Sequence, residues 1–216
     1  MPTPRPPHGS DTTATGTATA STAEEPQRDV RRWLLLIYRI QAGSSSRRTY
    51  VWRQLRQLGA VYLQQAVAVL PDRPELRAGL DQLGGRIRAG GGEVSLLETA
   101  SPSAAWEEDL VGRFNLARNA EYDEIIESVE RFEDEIRRET RKKRFMFAEL
   151  EESETDWEKL RRWFARLTER DFFGAPGRTE ADAALSRGRG LLDGFTAEVY
   201  RQEGLDADAP ADIARR

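Results

Sequence analysis

Four arginines crowd one short stretch of this chain: Arg47, Arg48, Arg53 and Arg56, with Arg31 and Arg32 upstream. A guanidinium is a planar, permanently charged fork that pairs well with phosphate. Sequence-independent nucleic-acid binding needs little more than a patch of such groups. The same residues also fit the solvated face of an amphipathic helix. A second set is Arg113, Asn115, Arg118, Asn119 and Tyr122. Arg118 and Tyr122 are one helical turn apart, as are Asn115 and Asn119, so donors on one helix can converge. Fixed donors and positive charge in a partly dry pocket would suit a tetrahedral oxyanion. The alternative is that Arg113 and Arg118 pair with Glu107, Asp109, Glu121 or Asp123 at ordinary helical spacing.

Two more clusters read as helix ends. Arg141, Lys142, Lys143 and Arg144 suit the negative end of a helix dipole. Glu149, Glu151, Glu152, Glu154 and Asp156 offer oxygens to a divalent cation. Their spacing is not that of a calcium loop, and it fits a helix N-terminus.

Much chemistry is excluded. The 216 residues include no cysteine, and the one histidine is His8. That removes a thiolate nucleophile and cysteine-bound zinc. It also removes Ser-His-Asp catalysis and histidine metal sites from the folded region. No pair of carboxylates reads as a general acid and base. The expectation is a protein with no catalytic residues, no metal site, no cofactor and no enzymatic activity.

Charge is unevenly spread. Residues 29–99 carry 11 basic against 6 acidic groups, and residues 100–216 carry 20 against 28. A net-positive first part beside a net-negative second part hints at an anionic partner for the first. No apolar run is long enough to span a bilayer, and the N-terminus lacks a signal-peptide core. The expected location is the cytoplasm, without membrane insertion.

The elements that must position these residues follow from periodicity. Residues 1–28, rich in Pro, Thr, Ala and Ser, read as a disordered tail. Residues 33–40 are a continuous apolar run suited to a buried strand. A Gly/Ser loop leads to a helix over 47–58, ended by Gly59. Residues 61–70 read as one strand or as two halves joined near Gln64-Gln65. A helix follows over 75–88, with Leu76, Leu80, Leu83 and Ile87 inward, then a strand over 93–98. The order β-α-β-(β)-α-β predicts a four-stranded antiparallel sheet with both helices on one face, the ferredoxin-like arrangement.

From residue 101 the pattern is helical. Ser103 is a candidate cap. The apolar stripe of the first long helix steps by threes and fours with one jump of five near Asn119, where a kink or break is expected. Residues 145–147 form a connector, and Trp157, Leu160, Trp163, Phe164 and Leu167 share one side of the next helix. A last helix over 179–202 is weakened by Gly188, Gly190 and Gly194. The fold class is thus α+β: a ferredoxin-like domain over 29–100, a helical domain over 101–204, and a frayed tail over 205–216.

Three long phrases resemble the ChrB family of chromate-resistance regulators: WLLLIYRIQAGSSSRRTYVWRQLRQLGAVYLQQAVAVLPDRPEL, FNLARNAEYDEIIESVERFEDEI and FAELEESETDWEKLRRWFARLTERDFFGAP. The likeness runs over about residues 33–200. The sheet half is similar to the central module of PaaX-type repressors and to small CRISPR-associated nucleases. The resemblance implies a regulatory or sensing module of chromate or oxyanion resistance acting in transcriptional control. Its implied partners are DNA, through Arg47, Arg48, Arg53 and Arg56, and chromate or another oxyanion, through Arg113, Asn115, Arg118, Asn119 and Tyr122. A homodimer is expected, because such sheets pair edge to edge. Family members carry a C-terminal chromate-resistance domain that this chain lacks. An alternative is therefore an interaction module that does not bind DNA and that partners a separately encoded domain of that type, or an efflux transporter. The similar nucleases place an Asp at the end of the first strand; here the residues are Tyr38-Arg39-Ile40, so metal-dependent cleavage is not expected.

Overall fold

The computed structural model describes residues 31–41, 43 and 45–204. The stretches expected as tails, 1–28 and 205–216, lie outside the described residues, as does His8. In chain order the elements are β1 (Arg32–Arg39), α1 (Ser45–Gln57), β2 (Val61–Gln64), β3 (Val67–Pro71), α2 (Pro74–Ala89) and β4 (Glu93–Ala100). Three long helices follow: α3 (Ala104–Arg141), α4 (Phe147–Glu169) and α5 (Gly177–Gln202). The described residues belong to one compact unit.

The four strands form one antiparallel sheet in the order β2-β3-β1-β4. The β-rich run is two strands in a hairpin, turned at Gln65-Ala66, where Ala66 takes a left-handed φ of 63°. β1 is central. Leu36 lies opposite Ala68 on one side and Leu96 on the other.

Successive residues of a strand point to opposite faces, and β1 uses both. Leu34 and Leu36, with Ala68 and Leu70, pack beneath Val51 and Leu55 of α1 and Leu80 and Leu83 of α2. Trp33 and Val69 point the other way, onto Leu110 and Phe114 of α3. That second face explains why residues 33–38 lack the polar alternation of a half-solvated strand. It also joins the sheet to the helices through one shared core.

Ser103 caps α3, its hydroxyl accepting from the Trp106 amide at 3.2 Å. α3 then runs for 38 residues as one helix, so there is no break near Asn119. The cause is chemical. The gap in the apolar stripe is filled by Arg118 and Glu121, both buried, so the inward face continues through charged residues. Further along, Ile125 and Val129 of α3, Trp157 and Leu160 of α4, and Leu192 and Phe195 of α5 share a core. Gly188 matters for packing there. A Cβ at this position would lie 3.0 Å from the Trp157 ring and 3.2 Å from Val129, so glycine lets α5 approach its neighbours. Among the described residues no helix is long and apolar enough to cross a membrane.

Candidate functional site

Two places gather polar chemistry. The first is the helical layer over the sheet. Val51 and Leu55 anchor α1 to the core, which turns Arg47, Arg48, Arg53 and Arg56 outward; all four are exposed. Arg47 donates to the Gly90 carbonyl, and the Arg56 guanidinium lies 5.5 Å from the Trp52 ring centroid. On α2, Arg86 donates to the Tyr50 hydroxyl and Arg88 to the Val94 carbonyl. None of these six arginines makes an ion pair with a described carboxylate. Elsewhere the pattern differs: Arg77 meets Asp72 and Glu98, Arg113 meets Asp109, and Arg137 meets Glu133. These six guanidinium groups thus keep their charge without a described carboxylate in direct contact. Arg86 and Arg88 belong to it but escape a reading confined to residues 47–56. The lack of any acidic residue from 40 to 71 marks the α1 part of the layer, while Arg86 and Arg88 join it only through the packing of α2.

The second place is the junction of α1, α3 and the segment after α4. Arg118 is 3% exposed. Its Nη2 donates to Glu121 at 2.5 Å, and the other Glu121 oxygen accepts from Arg170 Nη2 at 2.7 Å. Arg170 Nη1 in turn donates to the Arg56 carbonyl at 2.9 Å, tying the junction to the end of α1. Burial pushes the Arg118 pKa down; Glu121 opposes this and Arg170 adds to it. Arg118 Nε and Nη1 are buried without a hydrogen-bond partner, and so is Asn115 Oδ1. An unsatisfied buried guanidinium N–H is costly, which makes this a demanding polar site.

The remaining members of the expected set have other duties. Tyr122 is fully buried and donates to Asp171 Oδ2 at 3.1 Å. Burial, with the Asp171 charge behind it, raises the Tyr122 pKa. Asp171 also accepts from the Gly174 and Ala175 amides, shaping the turn into α5. Asn119 Oδ1 accepts from the Gly177 amide at 2.9 Å, satisfying an otherwise orphaned N–H at the start of α5. Arg113 is exposed and pairs with Asp109 at 2.9 Å. So Asn115, Arg118, Asn119 and Tyr122 converge on the interior, while Arg113 does not. Glu121 is the carboxylate partner foreseen for Arg118. Arg170 and Asp171 were missed, being 49 residues from their partners with no local signal.

Gly59 makes room for this network. Its φ is +81°, and a Cβ there would sit 3.1 Å from the Arg170 Cβ and the Phe172 ring and 3.2 Å from Arg118 Nη1. Gly59→Ala should therefore cost about 2 kcal/mol through backbone strain and crowding. Gly85→Ala, in open space on α2, should be neutral or stabilising. Urea unfolding of the two variants checks the contrast.

The other clusters lie at helix ends. Lys142 and Arg144 close on Glu139 at the end of α3. Burial works against ionisation of Glu139, yet hydrogen bonds from Lys142 and Arg138 hold its carboxyl below the usual range. The acidic set heads α4, and among the described residues no three His, Cys, Asp or Glu side chains gather closely enough to hold a metal ion.

The fold and these sites define a mixed α+β protein whose polar residues converge on guanidinium groups. A family model described as "Protein ChrB, N-terminal" matches residues 48–205, and the chain belongs to that family. Protein ChrB of Cupriavidus metallidurans is 32% identical over 92 residues, which cover 43% of this chain and 28% of that relative's length.

Proposed function

We propose that the chain is a regulatory or sensing module of chromate resistance that works in transcriptional control by binding, without catalysis. On this reading the outward face of α1 contacts DNA phosphate. The observation that carries it is the row Arg47, Arg48, Arg53 and Arg56, exposed and without a described carboxylate partner. We also read the sheet and its two covering helices as ferredoxin-like, which the strand order β2-β3-β1-β4 supports. β4, an eight-residue edge strand, supports a homodimer formed edge to edge.

The test is a double charge reversal. Arg53→Glu with Arg56→Glu should weaken binding to promoter DNA at least about tenfold and flatten the plot of log affinity against log salt by about two. Titrations at several salt concentrations measure both. Unchanged affinity would remove α1 as the contact.

A second role follows from Arg118. Two unpaired donors on a buried guanidinium support an oxyanion effector held at the α1/α3 junction, with Tyr122 and the Asn115 side chain beside it. Arg113, turned to Asp109, has no part in this site.

A further inference from the structure

Trp52 stands apart from the other tryptophans. It is 46% exposed, whereas Trp33 and Trp157 are buried and Trp106 and Trp163 are partly so. A single exposed aromatic residue means little alone. Its neighbours give it meaning. Arg48 lies one helical turn before it and Arg56 one turn after, so the three form a stripe along α1, with Arg53 beside it. The Arg56 guanidinium already lies near the indole at 5.5 Å, a contact that helps fix the ring in place. α1 itself is held to the core by Val51 and Leu55, whose side chains are buried while Trp52 keeps about half of its surface open.

Phosphate contact does not call for an indole. A flat apolar ring between cations suits a strand whose backbone is neutralised while a base lies on the ring. In an intact duplex both faces of each base are covered by its neighbours. An indole can therefore use its face only where a base is unpaired or turned out.

We propose that Trp52 is a stacking platform for an unpaired nucleobase, flanked by Arg48, Arg53 and Arg56 on the strand's phosphates, so that α1 takes single-stranded or locally opened nucleic acid. This rests on the reading of α1 as the nucleic-acid contact and adds to it which form is held.

The experiment compares the full chain and two variants, Trp52→Ala and Trp52→Phe. Each is titrated at fixed low salt with a fluorescent oligo(dT) 20-mer and with a 20-base-pair duplex. Trp52→Ala should weaken oligo(dT) binding about tenfold to a hundredfold and change duplex binding less than about threefold. Trp52→Phe should keep most of the single-strand affinity. Saturating oligo(dT) should quench tryptophan emission in the parent chain far more than in Trp52→Phe. Several results would overturn the proposal. Duplex binding with no oligo(dT) binding, or equal losses on both, sinks the stacking role while leaving the DNA reading intact. Binding to neither removes both. Poly-glutamate bound as tightly as oligo(dT), with the same dependence on Trp52, would reassign the stripe to an acidic protein partner.

Discussion

Trp33→Ala should lower the unfolding free energy by about 3–5 kcal/mol, the range for emptying a large buried aromatic site. Trp33 has no exposed surface. Its ring stacks on Phe114 at 5.9 Å, meets the edge of Trp106 at 6.0 Å and tilts against Phe173 at 5.9 Å. These three partners come from α3 and from the segment after α4, while Trp33 itself is on the central strand. The cavity would therefore open where the sheet meets the helices, and rigid elements on both sides limit how far it can collapse. The Trp33 Nε1 also donates to Ser101 Oγ at 2.8 Å, and Ser101 Oγ donates to Glu107 Oε2 at 2.6 Å. Alanine removes that anchor as well. Trp33→Phe keeps part of the ring contact and loses the N–H, so it should fall between the parent and alanine. Denaturant unfolding of the three proteins tests the order. A cost below about 1 kcal/mol for alanine would mean that the Trp33 contacts do not hold sheet and helices together.

Arg118→Ala is expected to cost about 3 kcal/mol, because it removes one of the two cations on the buried Glu121 carboxylate and empties the space of a long buried side chain. Glu121 would keep Arg170 alone, in a site that also loses the volume of a long side chain. Arg118→Met restores most of that volume, so any cost it shares with alanine belongs to the charge. Adding Glu121→Met to Arg118→Met takes the carboxylate from Arg170 as well, so the double variant should be no more stable than Arg118→Met; the coupling of such neighbours is what a double-mutant cycle reads. The same residue decides the oxyanion role. Calorimetry of the parent chain with chromate and with sulfate should give heat, Arg118→Met should abolish it, and Arg113→Ala should leave it in place. No heat with either anion in the parent chain would leave Arg118 a purely structural group.

The strands and helices were legible because their apolar residues carry the period of each element. Leu34, Leu36 and Leu70 sit where that pattern puts them, and so do Leu76, Leu80, Leu83 and Ile87. Ser103 was readable as a cap from its type and place. Periodicity misled where the buried residue was charged. Arg118 and Glu121 look like surface residues in a stripe of Phe, Tyr and Ile, so their position read as a break. The glycines of α5 read as weak points, yet Gly188 is there for the Trp157 ring, which only tertiary contact reveals. In the candidate sites, the arginines of α1 were visible as a local cluster. The Arg118 network was only half visible. Its i,i+3 partner Glu121 follows from helix geometry, but Arg170 and Asp171 arrive from another element, and nothing local announces them.

The unbroken course of α3 has a mechanical consequence. A helix of 38 residues is a rod of about 57 Å, with Leu110 and Phe114 seated on the sheet near one end and the three-helix core gripping the rest. No break in the helix at Asn119 divides the two ends. A tilt imposed at the far end is thus carried along one continuous helix to the surface on which the central strand rests.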